Sequence, residues 1–223
     1  MSMIRISRTY AQIICLGSTL KDLGLIDQVE YLKTFVEEKG KRKVWLLGHS
    51  VGGAISMLFT ARYPEKESGV INVEGNFTLA DAFWSQKIAE APPEVWFAEF
   101  AEIKSDPERW LKDSGIVPTE ERIRWATAIL DYQPAQTVQS MAKAVVAETR
   151  SSEFLAKISD VFEAQIPVVL LAGEKSLEGW HVPDLIIDKT GEIIIQKNVG
   201  HMMMLEDPNA FCQIVGKVLE DLA

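Results

Sequence analysis

Apolar positions along this chain fall into two alternating textures. One is the short β-branched run; the other is the longer stretch in which apolar residues recur every three or four positions. Residues 9–16 (Thr-Tyr-Ala-Gln-Ile-Ile-Cys-Leu) read as a buried strand closed by Gly17-Ser18-Thr19. Ile26, Val29, Leu32, Phe35 and Val36 follow with the spacing of an amphipathic helix over 26–38. Gly40 and the basic cluster Lys39, Lys41, Arg42 and Lys43 punctuate its end, as a solvated loop that complements a helix C-terminus. A strand over 44–47, a helix over 51–62 that stops before Pro64, and a strand over 69–74 come next. Strands and helices that alternate through short links predict parallel neighbours in an open α/β sheet.

From Asn76 to about Phe154 the pattern is helical, interrupted by Pro92-Pro93, Pro107, Gly115, Pro118 and Pro134. This stretch carries four of the six tryptophans (Trp84, Trp96, Trp110, Trp125) and lacks a strand signal. Lying between sheet strands, it is expected to be a helical cap over 76–154 on a core made of 1–75 and 155–223. Among its aromatics, Phe77, Phe83 and Trp84 are candidates to line an apolar pocket, together with His49; packing of the cap onto the core is the other role open to them. The sheet pattern resumes over 166–173, then over 192–196 after the turn Asp188-Lys189-Thr190-Gly191, and residues 208–222 form an amphipathic terminal helix.

Candidate chemistry concentrates at Gly48-His49-Ser50-Val51-Gly52. A Gly-x-Ser-x-Gly between an apolar strand and an apolar helix is the pattern of a nucleophile elbow, a turn so tight that the central side chain is exposed in strained geometry. Gly48 and Gly52 are expected where a Cβ would collide with a neighbour. The Val51 N–H, next to the serine at the helix start, is the oxyanion donor that can be assigned. A serine hydroxyl needs a base within reach and a third group that orients the base. His201 follows the last strand and a glycine, late in the chain, and suits that role. His49 alternates with Ser50, which suggests packing beside the site, and nothing singles out His181.

Composition narrows the function without naming it. The chain has 223 residues, 47% hydrophobic and 25% charged, with a formal net charge of -9. That balance fits an ordinary globular protein and argues against nucleic acid or an anionic membrane as partner. No stretch reaches the apolar length of a membrane span, and the start lacks a signal-peptide pattern, so a cytoplasmic location is expected. Cys15 and Cys212 lie far apart without metal-like spacing and are expected unpaired. No metal and no cofactor is expected. The glycines at 48–53 lack the lysine of a phosphate-binding loop, which argues against a nucleotide.

Leu-Leu-Gly-His-Ser-Val-Gly-Gly, Ile-Pro-Val-Val-Leu-Leu-Ala-Gly-Glu-Lys and Gly-His-Met-Met-Met-Leu-Glu-Asp-Pro together resemble the α/β-hydrolase superfamily, from about residue 9 onward. The resemblance implies a mostly parallel sheet flanked by helices with a helical cap, Ser50 as nucleophile and His201 as general base. It disfavours the branches that use a carboxylate nucleophile. Many relatives place Asp at the third position after the glycine that ends the penultimate strand; here that position is Ser176, in Gly173-Glu174-Lys175-Ser176. The acid is then Glu74, where some members of the superfamily carry it, or Glu174 or Glu178, or is absent. Relatives also have further strands before residue 9 and a loop, often with His-Gly, that gives a second oxyanion N–H. No His-Gly pair precedes Ser50, so the chain reads as shortened at its N-terminus, or Gly17-Ser18 supplies that donor. A shortened sheet would expose an edge open to self-association. The leading expectation is a serine hydrolase of an ester or similar small-molecule acyl substrate with an apolar group. The other is a truncated, inactive homologue that binds a ligand or partner.

Overall fold

The computed structural model describes residues 24–190 and 193–222. The strand expected over 9–16, Cys15 and the Gly17-Ser18 pair lie outside the described residues. Four parallel strands, β1 (Val44–His49), β2 (Glu67–Val73), β3 (Val168–Gly173) and β4 (Ile193–Gln196), pair in the order β1-β2-β3-β4. In chain order the helices are α1 (Leu25–Glu38), α2 (Val51–Arg62), α3 (Phe83–Glu90), α4 (Pro93–Ser105), α5 (Pro107–Asp113), α6 (Glu120–Asp131), α7 (Ala135–Thr149), α8 (Ser152–Glu163), α9 (Asp184–Thr190), α10 (Met203–Glu206) and α11 (Pro208–Leu222).

Central strands of a parallel sheet are covered on both faces, which is why β3 reads as a nearly unbroken apolar run and why β2, despite Glu67, Ser68 and Asn72, is buried at all but one position. Val70 and Leu170 turn to one face and join Leu46 with side chains of α1, α2, α7 and α8. Ile71, Val73 and Leu171 turn to the other, against Val215 and Val218 of α11. Parallel pairing sends the carboxyl ends of all four strands to one edge, where ligands of open α/β sheets bind. Among the described residues β1 has a strand partner on one side only. None of the described helices is long and apolar enough to cross a membrane.

The prolines that interrupt the helical segment mark helix starts rather than breaks. Pro93 and Pro107 open α4 and α5, where a missing N–H goes unneeded, and Pro134 caps α7. Helices α3 to α6 contribute to two small apolar clusters, one around Trp96, Phe100 and Leu130, the other around Leu111, Ile116 and Ala126. Met141 and Val145 of α7, and Phe154 and Ile158 of α8, enter the main core instead, and α8 spans the 154/155 boundary drawn from the sequence texture.

Two local expectations are corrected. Residues 188–190 do not turn; they end α9, whose Ile186 is fully buried, so the helix is fixed by packing. Gly52 has open space among the described residues, whereas a Cβ on Gly53 would lie 2.5 Å from the Gly75 Cα. The crowded pair is therefore Gly48 and Gly53, since a Cβ on Gly48 would lie 2.3 Å from the Gly52 carbonyl oxygen.

Glu67, at the start of β2, is only 1% exposed, and its carboxyl oxygens have no hydrogen-bond partner among the described residues. Burial pushes its carboxyl up to about 8, an effect that nearby donors, led by the Gly69 N–H, only partly offset. The native chain thus holds a proton that the unfolded chain releases above its ordinary value of 4.5. Raising the pH favours the unfolded state, so this contribution is complete below 4.5 and is lost as the pH climbs towards 8, at about 1.4 kcal/mol per unit. Glu67→Gln cannot ionise; urea titrations across that window should show a flatter pH dependence and greater stability than wild type at the alkaline end. Identical pH profiles for the two proteins would contradict this.

Candidate active site

The site is assembled from the turns and loops that leave the strands at their carboxyl edge. After β1 the chain turns at Ser50, with φ 54° and ψ -124°, before α2 begins at Val51. A non-glycine residue at positive φ is strained and persists where its surroundings hold it. They do so here: the Ser50 N–H donates to the Val73 carbonyl (3.1 Å), its own carbonyl accepts from the Gly53 N–H (2.8 Å), and Gly48 packs against the α2 backbone. The Ser50 hydroxyl makes no hydrogen bond among the described residues and is half-exposed. Val51 is the first helical residue, so its N–H has no intrahelical acceptor and lies at the positive end of the helix dipole.

After β2, one strand over, the chain turns at Glu74 with φ 43°. The Glu74 N–H donates to the Leu171 carbonyl (3.0 Å), and the Asn72 side-chain oxygen accepts the Gly75 N–H (2.7 Å), which closes the corner. The Glu74 side chain is almost wholly buried and both of its oxygens accept hydrogen bonds. Oε1 takes the Gly173 N–H (2.7 Å) and the Ser176 hydroxyl (2.5 Å), and Oε2 takes Nδ1–H of His201 (2.6 Å). Burial alone would raise this carboxyl; the bonds from His201, Ser176 and Gly173 outweigh it and hold it below the usual carboxylate range. Because the carboxylate accepts at Nδ1, the proton of a neutral His201 sits there and Nε2 is left as a lone pair.

His201 follows β4 through Val199 and Gly200, and two contacts fix its loop. The Lys175 N–H donates to the Val199 carbonyl (2.9 Å), and Nε2–H of His49 donates to the His201 carbonyl (2.9 Å). The two imidazole rings lie 4.4 Å apart between centroids. Burial first, and the adjacent His201 second, push His49 down to about 3, so it is a neutral donor near neutral pH. Its ring spans from the strand that precedes Ser50 to the loop of His201.

The structure therefore brings Glu74 and His201 into direct contact, with Ser50 on the neighbouring strand end. It does not bring the other carboxylates there. Glu174 is exposed and bonded to Lys197 (2.9 Å) and the Asn198 N–H (2.9 Å), and Glu178 is exposed in a short 3-10 turn, Leu177–Gly179. Phe77 is fully buried in the main core, stacked on Trp180 at 6.0 Å. Phe83 and Trp84 are more than half exposed and touch each other, with no ring contact to His49 or His201 among the described residues. Sequence reasoning missed Ser176. Its signal was present: a hydroxyl where relatives carry the acid can reach a carboxylate displaced to the next strand. Cys212 is free and half-buried.

The sequence pattern described as the α/β hydrolase fold matches residues 7–110, which include Ser50 and Glu74. No curated protein matches the chain in sequence. Solved structures similar to it include a carboxylesterase of the thaumarchaeon Nitrososphaera gargenis, with 15% identity, a TM-score of 0.67, and coverage of 92% of this chain and 75% of that one. A thermophilic esterase from Thermogutta terrifontis has 16% identity and a TM-score of 0.64, over 90% and 73% of the two chains. An N-acyl homoserine lactonase bound to N-hexanoyl homoserine has 17% identity and a TM-score of 0.62, over 91% and 72%.

Proposed function

We propose that the chain, whose residues 7–110 match the pattern described as the α/β hydrolase fold, is a serine hydrolase of carboxylic esters, acting through an acyl-enzyme on Ser50. The observation that carries this reading is the 2.6 Å hydrogen bond between buried Glu74 and Nδ1 of His201, one strand from the strained Ser50. The similar solved structures include esterases and a lactonase, whose named reactions cleave an acyl carbon–oxygen bond. An ester or lactone with an apolar group fits that company.

In this mechanism Ser50 Oγ attacks the substrate carbonyl while His201 Nε2 takes its proton, and Glu74 stabilises the resulting imidazolium. The negative oxygen of the tetrahedral intermediate accepts from the Val51 N–H at the start of α2. As the intermediate collapses, His201 returns the proton to the leaving alkoxide, which departs as the alcohol. Water, deprotonated by the same Nε2, then attacks the acyl carbon; the acid is released and Ser50 regains its proton. Helices α3 to α6 act as the cap that shields this chemistry. Ser176 no longer argues for an inactive homologue, because its hydroxyl bonds to the carboxylate that replaces it.

A series of p-nitrophenyl esters of increasing acyl length, with the p-nitroanilide as amide counterpart, tests the reading. Turnover of the esters well above that of the anilide is expected. A folded, monodisperse sample that hydrolyses no ester, thioester or lactone would overturn it.

A further inference from the structure

Helices α5 and α6 grip the molecule at the loop of His201. Their apolar cluster of Leu111, Ile116 and Ala126 is completed by Leu205, with Met202 packed against it, and both of these residues closely follow His201 in the chain. Arg122, in the first turn of α6, reinforces the contact. Its Nε donates to the Leu205 carbonyl (3.0 Å) and a terminal nitrogen donates to the Glu206 carbonyl, while the other holds the Val117 carbonyl (2.7 Å). Leu205 and Glu206 end α10, a four-residue helix whose last carbonyls lack intrahelical donors, and a cation is favoured there.

The loop is closed at its other end by a second bond. The Glu206 carboxylate, 12% exposed, turns back so that Oε1 accepts the Gly200 N–H (2.6 Å), while Oε2 pairs with Lys175 (3.2 Å). Residues 200–206 thus form a ring tied by its own side chain, with His201 inside and Arg122 fastening the far side to α6. A displacement of α6 must carry this ring, and with it the imidazole, relative to Glu74 at the corner after β2.

We infer that Arg122 is a positioning residue: it holds the His201 loop in register with Glu74 and makes the seating of α5 and α6 a control on the base. The inference rests on the reading of His201 as general base, but the geometry it concerns can be measured without turnover. The probe is the Nδ1 proton of His201, observed by NMR as a downfield resonance protected by its bond to Glu74. Arg122→Ala should broaden or abolish that resonance and lower kcat about 10- to 100-fold with KM little changed, as expected for a base displaced by a fraction of its working distance. Arg122→Lys, which keeps the charge and some of the donors, should recover part of both. Lys112→Ala, which removes an exposed charge of α5 paired with Glu108 and touches neither the ring nor Arg122, should match wild type.

Should Arg122→Ala fail to fold, Glu206→Ala opens the same ring from its other end and is expected to lose the same resonance. A folded variant of either kind with the wild-type resonance and wild-type kcat would overturn the inference. Loss of the resonance in the variants, together with a wild type inert towards esters, would support the positioning role while overturning the proposed function.

Discussion

Ser50→Ala is expected to lower ester turnover by about 10⁶-fold while leaving the fold intact. The serine hydroxyl makes no hydrogen bond among the described residues, so its removal strands no buried partner. Alanine keeps the same Cβ, and the strain at φ 54° is set by main-chain bonds that the substitution does not touch. Whatever catalysis remains over water would come from binding and the oxyanion donor, neither of which needs the hydroxyl. Thermal and urea unfolding should match wild type within about 0.5 kcal/mol, as for a substitution that removes no packing or buried bond. A variant that still turns over esters at the wild-type rate would remove Ser50 from the chemistry.

Glu74→Gln should lower turnover by about 10⁴-fold, and the reason lies in which oxygen does what. Two donors, the Gly173 N–H and the Ser176 hydroxyl, converge on Oε1, and His201 uses Oε2. A glutamine satisfies the converging pair only by turning its carbonyl oxygen towards them, which presents its NH₂ to His201 Nδ1. That nitrogen must then accept, its proton moves to Nε2, and the base faces Ser50 in the wrong tautomer. Glu174→Gln gives the contrast. Its carboxylate makes an exposed pair with Lys197 and caps the Asn198 N–H, so turnover should stay at the wild-type level. Equal losses from the two substitutions, or a larger loss from Glu174→Gln, would contradict the arrangement. Steady-state kinetics on one ester decides it.

Much of this site was legible because its parts announce themselves by residue type. A serine between glycines at a strand-to-helix junction, a histidine after the last strand and a glutamate ending the strand beside the elbow each carry a chemical signature. The choice among Glu74, Glu174 and Glu178 was not legible, because all three follow strands at the same edge. The contact with His201 depends on a corner at positive φ, held by Asn72, that no residue pattern specifies. Arg122 was invisible for a related reason: its acceptors are main-chain carbonyls, which every residue supplies. The helix ending at Thr190 was hidden because Asp-Lys-Thr-Gly reads as a turn, while burial of Ile186 decides the outcome. The strand expected over 69–74 starts earlier than drawn, at Glu67. A charged residue before a β-branched run looks like the loop outside a strand, yet it opens β2 and is buried there.

The central claim is that Ser50 is a nucleophile made reactive by His201 and Glu74. A fluorophosphonate traps such a serine by forming a phosphorus–oxygen bond as fluoride leaves, and the adduct survives digestion and mass mapping. One adduct per chain is expected, on the peptide that contains Ser50, and it should be lost in His201→Ala. A folded, monodisperse protein that takes up no phosphonate, or takes it up at another residue, would contradict the claim.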